Sequence, residues 1–285
     1  MDRERSRNTG EEFNQAARLL FDAAANKWYL SVGLELAAGI LSVVLSVFDV
    51  SGRLGLGWAL VGLLLLGSAY VLRLQFDDLR DTAETMRRQS AFTEGLDWRI
   101  DEMQANEWKR KLGHRIRERV RVVHRDPNYY NTEQTVGPQR LAEMTIESAF
   151  YTRQMYLKLR TWIWALFIGS ILVTGIILLV TVAELVPGQL ELPIARAVYA
   201  FIPVILTANF LGWALKLNRL IANIDAVEAD LRRHVRNRAI TLEEVLRLVA
   251  EYNCYVAMGF PIHPVLWDHW HQEISELWDN PFEAP

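Results

Sequence analysis

Apolar residues are gathered into four blocks, at 28–48, 54–72, 161–183 and 197–215, with nearly all the charge outside them. A helix that crosses a hydrocarbon core about 30 Å thick needs roughly 20 apolar residues, and each block has that length. The last three carry no charged side chain; the first carries one, Glu35. Trp28, Tyr29, Trp58, Tyr70, Trp162, Trp164, Tyr199 and Trp213 cluster toward the block ends, where amphipathic rings sit at headgroup level. The pattern predicts an all-α integral membrane protein with four transmembrane helices.

Between the blocks the pattern changes to that of water-exposed helices. Beyond the second block, Leu72, Phe76, Leu79, Ala83 and Met86 recur at steps of four and three; beyond the fourth, Leu217, Leu220, Ile224, Val227, Leu231 and His234 do the same. Both seams predict that membrane helices continue as stalks with a coiled-coil-like stripe. Packing within one subunit and an oligomeric stalk account for such seams equally well. Thr9 and Glu12 have the spacing of a capping box for a short helix with Phe13, Ala17, Leu20 and Ala24 on one face. Thr241 and Glu244 have the same spacing ahead of 245–255, and Pro138 suits the first turn of a helix leading into the third block. A turn at 259–264 precedes a last helix whose apolar face holds Trp267, Trp270, His271, Ile274 and Trp278. His269 and His271 diverge on that helix, which is wrong for chelating one metal.

Composition changes little at first sight: 51% hydrophobic, 23% charged and a net charge of −3 would suit a globular protein. The distribution of charge is what matters. Five Lys and Arg precede the first block, one lies in each of the 49–54 and 184–196 connections, seventeen lie in 73–160 and seven follow the fourth block. Cytoplasmic flanks are the ones enriched in Lys and Arg, so both termini and the long middle segment are expected in the cytoplasm. This divides the chain into an N-terminal amphipathic helix (1–27), a transmembrane hairpin (28–72), a cytoplasmic insert (73–160), a second hairpin (161–215) and a C-terminal stalk and tail (216–285). The polar opening is not expected to act as a cleavable signal. The one cysteine, Cys254, excludes an internal disulfide and suits a reducing compartment.

The densest local feature is KRKLGHRIRERVRVVHR at 109–125. On a single helix, Arg110, His114, Arg117, Arg121, His124 and Arg125 share a face opposite Leu112, Ile116, Val120 and Val123. Asp126-Pro127-Asn128 ends that helix, and Tyr129 and Tyr130 set flat rings beside the positive stripe. A solvated or partner-facing charge run, contact with the anionic inner leaflet, and binding of a nucleotide or single-stranded oligonucleotide with tyrosines stacked on bases all fit. Inside the apolar blocks, Ser31, Glu35, Gly39, Ser42 and Ser46 form one narrow stripe, and Ser170, Thr174 and Thr181 form another. Either stripe suits a hydrated, pore-lining path or close interhelical packing. Pro203 and Asn209 mark a kink in the fourth block. Nothing points to an enzyme: no phosphate loop, zinc-protease motif or nucleophile elbow is present. Asp77, Asp78 and Asp81, just past the second block, are the best candidate for an enzyme's metal site, as holders of Mg²⁺ at the lipid surface. With Arg80 and the seam beside them, they read better as a solvated helix turn. No cofactor or metal is expected.

The order of parts resembles the S-4TM family of pore-forming effectors of bacterial antiviral defence, with local echoes in FNQAARLLFDAAANKWYL, GPQRLAEMTIESAFYTRQMYLKLR and EYNCYVAMGFPIHPVLWDHWHQEISELW. The resemblance implies a homo-oligomeric channel, a tetramer being favoured, in the bacterial inner membrane. It further implies control by a nucleotide or short DNA product of a partner nucleotidyltransferase, as in the Hailong type, where short DNA chains hold a channel shut. Two rival expectations are a non-conducting membrane scaffold or sensor and an interfacial lipid enzyme.

Overall fold

The computed structural model describes residues 2–47, 52–122, 130–183, 194–237 and 240–279. They are all-helical, with no strand among them, and form α1 (Asp2–Val47), α2 (Gly52–Leu96), α3 (Glu102–Lys111), α4 (His114–Val122), α5 (Pro138–Ala183), α6 (Ile194–Arg236), α7 (Leu242–Met258) and α8 (Pro264–Asp279). Four of the eight exceed forty residues, because each carries an apolar block and a polar extension with no break between them. The expected capping box at Thr9 is absent: α1 starts at Asp2, leaving Thr9 inside a helix, and Glu12 pairs with Lys109 at 2.8 Å.

The chain divides into two compact units. One comprises Met1–Asn26, Phe76–Leu157 and Arg219–Pro285; the other comprises Lys27–Gln75 and Lys158–Asn218. In the second, large apolar side chains point outward: Leu54 is 72% exposed, Leu64 70% and Leu172 63%, whereas Ala38 and Ala69 are buried. A soluble fold would reverse this, since the hydrophobic effect draws the largest apolar groups inward. Leu54–Leu96 and Pro138–Ile176 are long and apolar enough to cross a membrane, and only 17% and 12% of their apolar windows are buried.

The first unit has an ordinary core. Phe76, Ala83 and Met86 of α2 and Leu220, Ile224, Val227 and Leu231 of α6 are buried, so both stalk seams are used for packing within the chain. Ala83 and Met86 meet Phe13, Ala16, Ala17 and Leu20 of α1, while Trp270 and Ile274 of α8 pack on Phe150 and Met155 of α5 as the aromatic face required. α2 ends where Asp97 takes the left-handed conformation (φ 57°), which aspartate tolerates better than most residues. Its N–H then donates to Thr93 O at 3.0 Å, and the Thr93 hydroxyl donates to Trp98 O at 2.9 Å. At α7 both halves of the Thr241–Glu244 capping box form.

Candidate functional site

The basic segment is seated on the first unit by its apolar side. Ala105, Trp108 and Leu112 are buried against Phe13, Ala16, Ala17, Leu20, Ala83 and Met86, with Ile116 and Val120 packed on the same cluster. Phe13 and Trp108 meet edge to face, their ring centroids 5.2 Å apart. This leaves the opposite side facing water, and residues 102–122 carry seven Lys and Arg against three Glu. The expectation of one continuous helix is corrected. α3 stops at Lys111 because Leu112 turns extended (φ −67°, ψ 122°) to reach the apolar cluster. α4 restarts at His114, and the N–H groups of Ile116 and Arg117 both donate to Gly113 O, at 3.0 and 3.1 Å. Gly113 suits that junction because it resists helix continuation more than any residue except proline.

The sequence-derived site residues therefore fall on two helices. Arg110, on α3, is exposed, and its Nε donates to Asn106 O at 3.4 Å. His114 and Arg117 are exposed on α4, with His114 Nδ1 3.6 Å from Glu118. The backbone of Arg121 lies on α4, but its side chain lies outside the described residues, as do Arg125 and Tyr129 altogether. Tyr130 is partly buried and close enough to Arg87 to favour the guanidinium charge.

The pattern of apolar positions did not reveal four arginines that serve inside the first unit. Arg80 donates to the carbonyls of Val256 and Gly259 at the end of α7, a cationic cap where a helix exposes unsatisfied acceptors. Arg87 donates to Glu84 at 2.9 Å and to Asn253 Oδ1 at 2.7 Å, and lies over the Tyr252 ring. Burial by itself works against the Arg87 charge, but Glu84, Tyr252 and Tyr130 more than offset it and hold its pKa above the ordinary value. Arg153 bridges Asp225 and Glu228 of α6 at 3.2 and 3.1 Å, and Arg140 binds Glu94 at 3.4 Å. The legible signal was Arg80, Glu84 and Arg87 spaced at four and three along the α2 seam, which puts them on one helix face.

In the second unit the polar stripe of α1 is turned into the chain. Ser31 and Ser42 are buried, and Ser31 Oγ donates to Trp28 O at 2.7 Å. The Glu35 side chain is 14% exposed and bound by Arg73, whose Nη2 lies 2.9 Å from Oε1 and 3.0 Å from Oε2. Arg73 also stands over the Trp213 ring at 5.2 Å, and Trp213 packs on Trp28. The side chains of Ser46, Thr181 and Pro203 lie outside the described residues. Asp77, Asp78 and Asp81 are exposed, and no metal-binding group of three ligands occurs among the described residues.

No family model, curated protein or solved structure matches the chain.

Proposed function

We propose that this protein is a four-span membrane effector that forms a ligand-gated ion channel. In this reading a nucleotide or short single-stranded oligonucleotide binds at the cytoplasmic basic surface of α3 and α4. One observation carries it: the basic helices are seated, through Trp108, Leu112, Ile116 and Val120, on the α1 and α2 stretches around Phe13, Leu20, Ala83 and Met86. Those two helices run unbroken into the apolar blocks. A polyanion neutralising Arg110, Arg117 and their neighbours would favour whichever packing of α3–α4 binds it better, and so bias α1 and α2. The outward-facing leucines of α2 and α5 support the membrane assignment. Four spans leave little room for a hydrated path in one subunit, so the channel is a homo-oligomer, and the resemblance in layout to S-4TM effectors supports a role in antiviral defence.

The test is planar-bilayer recording on the purified full chain, with and without a short single-stranded oligonucleotide. Conductance is expected to change on addition, and Arg110→Glu with Arg117→Glu should weaken the response and flatten its salt dependence. Steady silence under both conditions sinks the channel reading in favour of a non-conducting scaffold.

A further inference from the structure

Residues 130–137, just ahead of α5, form neither helix nor strand, and polar groups among them are met by side chains of α5. Asn131 N–H donates to Glu147 Oε2 at 3.0 Å, and the Thr132 hydroxyl donates to Glu143 Oε2 at 2.6 Å. One turn earlier on α5, Arg140 Nη1 donates to Gln134 O at 2.9 Å. Gln134 N–H in turn donates back to Thr132 Oγ1 at 3.3 Å. At the far end Gly137 sits at φ 155°, a conformation suited to glycine, and donates its N–H to Gly95 O at 2.8 Å. No helix or sheet ladder fixes this stretch, so three side chains of one helix face do so in their place.

We infer that residues 130–137 are a detachable strap, clasped to α5 by Arg140, Glu143 and Glu147 and hinged at Gly137. As the element that follows the basic surface in sequence and leads into α5, it would report ligand occupancy to α5. That role rests on the ligand-gated reading; the clasp itself does not. The clasp is electrostatically loaded. Glu147 accepts a strap N–H while facing Glu94 of α2 and Asp279 of α8, with Glu143 and Tyr151 on the adjoining turns of its own helix. Arg140 is already engaged by Glu94. Burial, then the neighbouring Asp279 and Glu94 charges, push the Glu147 carboxyl up, and the Asn131 hydrogen bond offsets only part of this.

Amide hydrogen exchange on the intact chain in lipid nanodiscs tests this. In Glu143→Ala with Glu147→Ala, amides at 131–137 should exchange about tenfold faster or more, since the Asn131 N–H and the Thr132 hydroxyl that anchor the strap both lose a charged acceptor, while 141–157 of α5 stays protected. Unchanged exchange at 131–137, or loss of protection along α5 as well, overturns the clasp. Glu147→Gln keeps an acceptor without a charge, so it should hold the strap more firmly than Glu147→Ala does. Adding a short single-stranded oligonucleotide should alter exchange at 131–137. Binding without that change overturns the reporting role alone, whereas no binding at all removes the ligand reading and leaves the clasp to be decided by the alanine variants.

Discussion

Arg87 and Glu84 show what a single charged residue costs and contributes in the first unit. Glu84 is 3% exposed, and its Oε1 has no hydrogen-bond partner among the described residues, so Arg87 is what makes its charge tolerable. Removing one partner of a buried pair leaves an uncompensated charge and typically costs about 3–5 kcal/mol. Arg87→Ala is therefore expected to destabilise the chain by that order in denaturant melts in micelles, whereas Glu84→Leu with Arg87→Met should recover most of the loss. Glu35 raises a different question at the same scale. It is held by Arg73, so it would bear on permeating ions only where that pair opens. If Glu35 borders the conduction path of the proposed channel, Glu35→Gln is expected to shift the reversal potential under bi-ionic conditions; unchanged selectivity in a channel that still conducts would remove Glu35 from the path.

Helix ends, more than helix interiors, separate what was legible from what was hidden at the level of elements. The start of α7 was readable because its signal is local: Thr241 and Glu244 satisfy each other's donors within one turn. The Thr241 N–H bond, then the Thr241 hydroxyl, hold the Glu244 carboxyl below its usual range. Its contribution to α7 is thus full above the ordinary carboxylate pKa and is lost as pH falls through the depressed value. Thr241→Ala should cost about 0.5–2 kcal/mol at neutral pH and abolish that acid sensitivity, read from amide exchange at 242–246. The same spacing at Thr9 misled, because nothing in Thr9 and Glu12 themselves reveals that helix continues upstream to Asp2. The α3–α4 break was hidden for a related reason. Leu112 leaves the helix to join a cluster formed largely by α1 and α2 residues distant in sequence.

For the whole molecule, the proposed topology makes Cys254 a built-in probe. It is the one cysteine in the chain, exposed on α7 in the segment assigned to the cytoplasm. A membrane-impermeant maleimide should leave it unlabelled in intact spheroplasts and label it after permeabilisation. Labelling before permeabilisation would reverse the orientation drawn from the Lys and Arg distribution.

The sequence by itself determined the helical class, the division into apolar blocks and polar stretches, the seams and the capping box that opens α7. Each is written in residue spacing and in the transfer free energy of side chains, which act locally. Tertiary structure alone decided that the seams pack within the chain, that the basic helix is two helices, and that Arg80, Arg87, Arg140 and Arg153 bind internally while Arg110 and Arg117 face water. Such assignments depend on which distant acceptors arrive beside each guanidinium. Seventeen basic residues lie between two apolar blocks, but only their neighbours in space distinguish those that pin the fold from those that face water.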